Sequence, residues 1–166
     1  SESYAFPKVK GMFFDPRIPP RTVEVRDGMT LINSYVPSII VRRQGDISPF
    51  LTHLYKLLPN GDDARILLAY FAACVQFAGE KFQWWPLIQG VEGNGKTLFT
   101  RCVAEAVGRR YVHWPKANQL GSQFNSWLLN RLFFGVEDIY VTSDKAELLE
   151  ELKPMITGEE LQIEAK

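Results

Sequence analysis

The stretch that decides the fold is Gly90-Val91-Glu92-Gly93-Asn94-Gly95-Lys96-Thr97. It matches the pattern G-x-x-x-x-G-K-[ST], the Walker A signature of a phosphate-binding loop. Glycines accept left-handed backbone angles, so successive N–H groups of the loop can point inward at phosphate oxygens. The lysine would reach the β- and γ-phosphates of a nucleotide, and the threonine hydroxyl would bind Mg²⁺. The stretch predicts a phosphate-binding loop.

The flanking residues supply the context that this loop requires. Residues 84–89 read as a short apolar strand entering the loop, and residues 98–107 predict a helix that ends at Gly108. Its expected inward stripe is Leu98, Cys102, Val103 and Val107. Strand, glycine loop and helix in this order favour nucleotide binding over an incidental glycine turn. The residues predicted to bind ATP are Gly90, Glu92, Gly93, Asn94, Gly95, Lys96, Thr97 and Leu98.

A second candidate segment is Arg131-Leu132-Phe133-Phe134-Gly135-Val136-Glu137-Asp138. An apolar run followed by two acids is typical of a buried parallel strand with carboxylates at its carboxyl end, where ligands of α/β sheets bind. We interpret it as Walker B, the alternative being an ordinary structural strand. Glu137 is favoured for the metal, together with Thr97, and Asp138 for orienting the attacking water. The predicted catalytic residues are Lys96, Glu137 and Asp138.

The chain has 166 residues, of which 46% are hydrophobic, and its formal net charge is zero. This composition indicates a globular α/β protein and argues against a bulk electrostatic nucleic-acid binder, although a local basic loop is compatible with it. No apolar run approaches the ~20 residues of a membrane helix, and no leader peptide is visible. We therefore expect no membrane association, a cytoplasmic location, and a piece of a longer protein because the first residue is not Met.

The chain divides into three predicted regions. Prolines make residues 1–45 an irregular arm with short extended pieces. Residues 46–80 predict a helical hairpin, whose first helix starts at Ser48-Pro49 and whose second is capped by Asp62 or Asp63. Residues 81–166 form the nucleotide-binding core. The expected inward face of the second helix is Ile66, Leu67, Tyr70, Phe71, Cys74 and Phe77.

Three further predictions concern cysteines, histidines and the C-terminal residues. Cys74 and Cys102 are expected to be buried, reduced thiols. His53 and His113 have no partner at metal-ligand spacing, so they receive no role. A helix is expected over 144–153, followed over 153–166 by a glycine turn and one half of a β-hairpin.

Walker A, the short interval to Walker B, and the stretch from Lys153 through Gly158 to Lys166 together resemble superfamily 3 helicases. The likeness is to the primase-helicases of phages, prophages and poxviruses, and it covers roughly residues 30–166. It implies an AAA+ type P-loop NTPase with a parallel-sheet core, truncated at its C-terminus before the sensor and arginine-finger segments. It further implies a homo-hexamer that hydrolyses ATP with Mg²⁺ and translocates on single-stranded DNA during phage-type replication. By the same match Lys153 and Lys166 would contact DNA phosphates, the alternative being ordinary surface lysines.

Two other functional classes fit the loop. One is a P-loop kinase acting on a small molecule, although no Arg-rich lid or acceptor site is apparent in the sequence. The other is an assembly ATPase that is not a motor. Stimulation of ATP hydrolysis by single-stranded DNA would distinguish the helicase from both, because translocating motors grip one strand.

Overall fold

The computed structural model describes residues 8–41, 43–120, 125–137, 145–158 and 163. The chain has a mixed α/β architecture and forms two compact units, Ser1–Ile39 and Ile40–Lys166. Among the described residues, no helix is both long and apolar enough to cross a membrane.

The first unit is built around a three-stranded sheet in the order β1-β3-β2. Its strands are β1 (Gly11–Phe13), β2 (Val23–Arg26) and β3 (Met29–Asn33). β1 is parallel to β3, and β2 is antiparallel to β3. Asp27 and Gly28 join β2 to β3 with φ angles of 49° and 73°. Two left-handed residues make the tight turn whose twist matches a β-hairpin, and Asp-Gly is a preferred sequence for it.

The short extended pieces predicted within residues 1–45 are present, but the structure joins three of them into an ordered sheet, and Asn33 explains how the prolines are accommodated. Only 1% of Asn33 is exposed. Its amide nitrogen donates to the carbonyl oxygens of Asp15 at 2.8 Å and Pro19 at 3.2 Å. Its amide oxygen accepts the N–H groups of Asp15 and Tyr35, both at 3.1 Å. One buried side chain therefore satisfies backbone groups that the proline-rich loop cannot pair by itself.

The second unit contains five helices and one pair of short strands among its described residues. The helices are α1 (Ser48–Leu57), α2 (Gly61–Gln76), α3 (Lys96–Val107), α4 (Ala117–Leu120) and α5 (Lys145–Thr157). Short 3₁₀ turns cover Arg109–Tyr111 and Ser126–Leu128. Strands β4 (Val112–His113) and β5 (Phe133–Phe134) pair in parallel, with Val112 opposite Phe133. Within the described part of the second unit, β4 and β5 form the parallel sheet.

The helical hairpin is confirmed, but its caps differ from the predicted ones. Ile47 rather than Ser48 is the N-cap of α1, and the Asp46 carboxylate accepts the Ser48 N–H at 2.8 Å. Asn60, not Asp62 or Asp63, caps α2 by accepting the Asp62 N–H at 3.0 Å. In both cases a short polar side chain accepts the N–H group two residues later, and this side chain lies two or three residues before the cap that the sequence pattern indicated.

The core of the second unit lies between α1, α2, α3 and the strand pair. Its buried apolar residues are Leu54, Ala64, Leu67, Phe71, Cys74, Phe99, Val103, Ala104, Val107, Tyr111, Val112, Leu120, Phe133 and Leu152. The predicted stripe of α3 is wrong at Leu98, which is 49% exposed, and at Cys102, which is exposed. Phe99 is fully buried instead, because the larger apolar side chain takes the inward register. Ile66 on α2 and Phe77, the C-cap of that helix, are likewise exposed.

Two predicted extended segments also differ. Residues 84–89 lie outside any strand, since Pro86 lacks the N–H needed for pairing and the described strands β4 and β5 pair with each other. α5 continues through Pro154 to Thr157, so 153–157 is helical and not the start of a hairpin. Pro154 is tolerated in the last turn, where the Gly158 N–H donates to its carbonyl at 2.9 Å. Residues 159–162 and 164–166 of the predicted hairpin lie outside the described residues.

Candidate functional site

The glycines of the loop between residues 90 and 97 are required for two different reasons. Gly93 and Gly95 have φ angles of 74° and 86°, in the left-handed region that side chains disfavour. At Gly90 the reason is space, because a methyl group built there would lie 2.6 Å from the Asn94 Nδ2. The loop therefore closes tightly on itself and turns twice into α3.

Lys96 is held inside this loop. Its ammonium group donates to the carbonyl oxygens of Gly90 at 2.9 Å and Val91 at 2.7 Å, and to the Asn94 Oδ1 at 3.0 Å. A lysine ammonium has three hydrogens, so these three acceptors satisfy it completely. The lysine that is predicted to bind phosphate thus has its charged end at the centre of the loop.

The loop ends directly at the N-terminus of α3. Gly95 is the N-cap in the left-handed conformation, and its carbonyl accepts the Leu98 N–H at 3.0 Å. The first N–H groups of a helix have no partner within the helix, and the helix dipole favours an anion at that end. The half-buried Thr97 lies in this first turn. Left-handed glycines, an enclosed lysine and a helix N-terminus together form a site suited to phosphate.

Phe99 anchors α3 in the helical hairpin. Its ring meets Phe50 edge-on with centroids 5.3 Å apart, and the His53 ring stacks on it at 5.1 Å. Phe71 of α2 completes the cluster at 6.4 Å. The His53 Nε2 also lies 3.3 Å from the Gly95 carbonyl oxygen. The sequence assigned His53 no role, because a contact between residues 42 positions apart leaves no periodic signal.

Glu137 lies in an open cleft of about 350 Å³ on one side of α3. The cleft is also lined by Arg101, Ala104, Glu105, Arg109 and Trp114. Thr97, the other predicted metal residue, is not among the residues that line this cleft. Apart from Glu137, the lining residues come from α3 and from the segment after it, and none belongs to the loop between residues 90 and 97. Asp138, the second predicted acid, lies outside the described residues.

Gly135 and Trp114 explain the glycine in the apolar run before Glu137. A methyl group built on Gly135 would lie 2.6 Å from the Trp114 Nε1, so the indole packs directly on this backbone. The Gly135 N–H donates to the His113 carbonyl at 3.1 Å, which extends the β4–β5 pairing by one residue. Trp114 therefore sets the path of the chain that leads to Glu137, and the sequence reasoning did not single it out.

Of the predicted metal and DNA residues, Thr97, Glu137 and Lys153 lie within the described residues. No group of three or more His, Cys, Asp or Glu side chains within the described ranges could hold a metal ion. This is compatible with Mg²⁺, which proteins usually bind through one or two carboxylates and the substrate phosphates. Lys153 is exposed on α5 and forms an ion pair with Glu150, while Lys166 lies outside the described residues. DNA contact by either lysine stays a prediction.

Comparison with known proteins adds a fold and one family match. Residues 88–166, which include the loop, α3 and both short strands, match a family described as a family of unknown function, DUF5906. The comparison with curated proteins gives no match. A solved structure described as the apo structure of the NrS-1 C-terminal region (305-718) is similar with a TM-score of 0.74 and 23% identity. An A form apo structure of the same region has a TM-score of 0.70 and 21% identity.

Both structural similarities cover the whole of this chain and 40% of the solved chain. The chain therefore corresponds to less than half the length of the region solved in each case. At these identities the similarity establishes the fold, a mixed α/β arrangement shared with the NrS-1 C-terminal region.

Proposed function

We propose that this chain is the ATP-binding core of a DNA helicase of the primase-helicase type, which hydrolyses ATP with Mg²⁺. The observation that carries the proposal is the position of Lys96, whose ammonium lies between the carbonyls of Gly90 and Val91 at the N-terminus of α3. Two left-handed glycines precede it, as a phosphate-binding loop requires.

Each site residue has a defined task in this proposal. The backbone N–H groups from Gly93 to Thr97 would bind phosphate oxygens, and Lys96 would transfer its hydrogen bonds from the loop carbonyls to the β- and γ-phosphates. Bound Mg²⁺ supplies charge neutralisation at the phosphates. Thr97 and Glu137 would hold it, and Asp138 would orient the attacking water.

The motor part of the proposal rests on the resemblance to superfamily 3 helicases. It comprises a homo-hexameric ring, translocation on single-stranded DNA, and DNA contact by Lys153 and Lys166. The same resemblance adds an arginine finger that completes the site of a neighbouring subunit. Neutral net charge is compatible with such a ring, because only the residues that line its channel need to be basic.

The first experiment measures binding of Mg²⁺-ATP by titration calorimetry. Lys96→Ala removes charge-assisted hydrogen bonds worth about 1.5–3 kcal/mol, so we expect an affinity loss of about 10- to 150-fold. Lys56→Ala, at an exposed lysine in the last turn of α1, is the matched control and should bind as the wild type does. Unchanged affinity in Lys96→Ala would contradict the loop assignment.

The second experiment measures ATP turnover by a longer form of the protein that continues past Lys166. Glu137→Gln and Asp138→Asn should each bind ATP and fail to hydrolyse it. Strong stimulation of the wild type by single-stranded DNA would support the motor. Hydrolysis indifferent to DNA would favour a small-molecule kinase or an assembly ATPase instead.

A further inference from the structure

His53 connects the helical hairpin to the end of the phosphate-binding loop. It lies in the middle of α1, and its Nε2 is 3.3 Å from the carbonyl oxygen of Gly95. A carbonyl only accepts hydrogen bonds, so the imidazole must carry its proton on Nε2 to donate here. The Gly95 carbonyl also accepts the Leu98 N–H at 3.0 Å, so both of its lone pairs are used.

The ring of His53 also fills the space beside Gly95. A methyl group built on Gly95 would overlap the imidazole, coming within 2.6 Å of its Cε1. The same ring also contacts Phe99, which is fully buried. The two rings stack with their centroids 5.1 Å apart. The imidazole is therefore fixed between the backbone of the loop and the core of the second unit.

Gly95 is a sensitive position for such a contact. Gly95 is the last residue before α3. Its φ of 86° therefore sets the direction of the N–H groups in the first turn of the helix. A rotation there would also move Lys96, the next residue, away from the carbonyls that it contacts.

We infer that His53 is a positioning residue for phosphate binding: its Nε2–H and its ring hold Gly95 in the left-handed conformation. The inference rests on the proposed function for its consequence in nucleotide affinity, whereas its effect on the loop backbone is independent of any nucleotide. It also makes α1 part of the nucleotide-binding unit, so that a displacement of the hairpin changes the shape of the loop.

Two variants separate the roles of the ring and the donor. His53→Phe keeps an aromatic ring for stacking on Phe99 and removes the donor, whereas His53→Gln keeps an N–H donor and removes the ring. Thr52→Ala, at an exposed neighbour on α1, is the control. The first measurement is hydrogen exchange of the backbone amides from Gly93 to Phe99. The second is the affinity for Mg²⁺-ATP.

A neutral hydrogen bond contributes about 0.5–1.5 kcal/mol, which corresponds to about a two- to tenfold change in a local opening equilibrium. We expect amide exchange to be faster by this factor in His53→Phe, and the affinity for Mg²⁺-ATP to fall comparably. His53→Gln should recover at least half of both effects on a logarithmic scale. Recovery by Gln would not be seen if His53 only filled space.

Exchange and affinity that stay at wild-type values in His53→Phe would overturn the inference, and so would equal losses in Phe and Gln. Faster exchange with unchanged affinity would equally overturn a role in phosphate binding. A wild-type protein that binds no Mg²⁺-ATP would instead refute the proposed function. In that case the exchange rates alone decide whether His53 positions the loop.

Discussion

The register of α3 gives a sharp test, because two adjacent residues exchange the roles that the sequence pattern assigned to them. Phe99 is fully buried among Phe50, His53 and Phe71, whereas Leu98 is 49% exposed. Phe99→Ala removes a buried ring and leaves a cavity, which costs about 3–5 kcal/mol in the free energy of unfolding. A fully buried leucine is worth about 1.5–3 kcal/mol, so Leu98→Ala at half exposure should cost about 1 kcal/mol.

Urea unfolding followed by tryptophan fluorescence is the appropriate assay. All four tryptophans of the chain lie after residue 40, so the signal reports the second unit alone. With a urea m-value of about 2 kcal/mol/M, the midpoint should fall by about 1.5–2.5 M in Phe99→Ala and by about 0.5 M in Leu98→Ala. Equal shifts, or a larger one for Leu98→Ala, would refute the register and with it the orientation of the helix that follows the loop.

Three further results are expected. Gly93→Ala and Gly28→Ala carry the same left-handed strain of about 1–2 kcal/mol, because their φ angles are 74° and 73° and no atom lies near the added methyl group. Only Gly93→Ala should weaken Mg²⁺-ATP binding in calorimetry. Cys102 is exposed and Cys74 is buried, with burial raising the pKa of the Cys74 thiol; Ellman's reagent should therefore modify one thiol in the folded protein and two in urea, and rapid labelling of both would contradict this. Burial, and after it the charge of a neighbouring arginine, lowers the pKa of His113 below its usual 6.5, so its neutral form stabilises the fold above that pH and stability is lost as pH falls below it. His113→Gln should reduce the loss of unfolding free energy between pH 7.5 and 5.5, and an unchanged pH dependence would count against the burial of this ring.

The loop and the helix after it could be predicted because their signals are local. Gly93, Gly95 and Lys96 are neighbours in sequence, and the left-handed angles of the two glycines follow from their lack of a Cβ atom. Gly108 ends α3 as expected, with a φ of 103°. Such features require no knowledge of what packs against them.

Features that depend on distant contacts were not predictable in the same way. The inward register of α3 is set by Phe99 meeting the helical hairpin, and helical periodicity alone allowed Leu98 to take that place. Trp114 and Gly135 also meet only after β4 and β5 pair. The hairpin at Asp27-Gly28 is a different case, because its signal is local and the surrounding prolines outweighed it in the interpretation.

Under the proposed function, the three acceptors of the Lys96 ammonium would make phosphate binding by the loop an exchange reaction. Each of its three hydrogens already has an acceptor, so an incoming anion gains only the difference between its own oxygens and those of Gly90, Val91 and Asn94. A small anion with one oxygen in reach can replace only one of these acceptors. A polyphosphate presents many oxygens at once and can replace several acceptors while it meets the N–H groups of the helix. A loop of this kind would select ligands by the number of contacts that they make together, and its own carbonyls would set the affinity that a ligand must exceed.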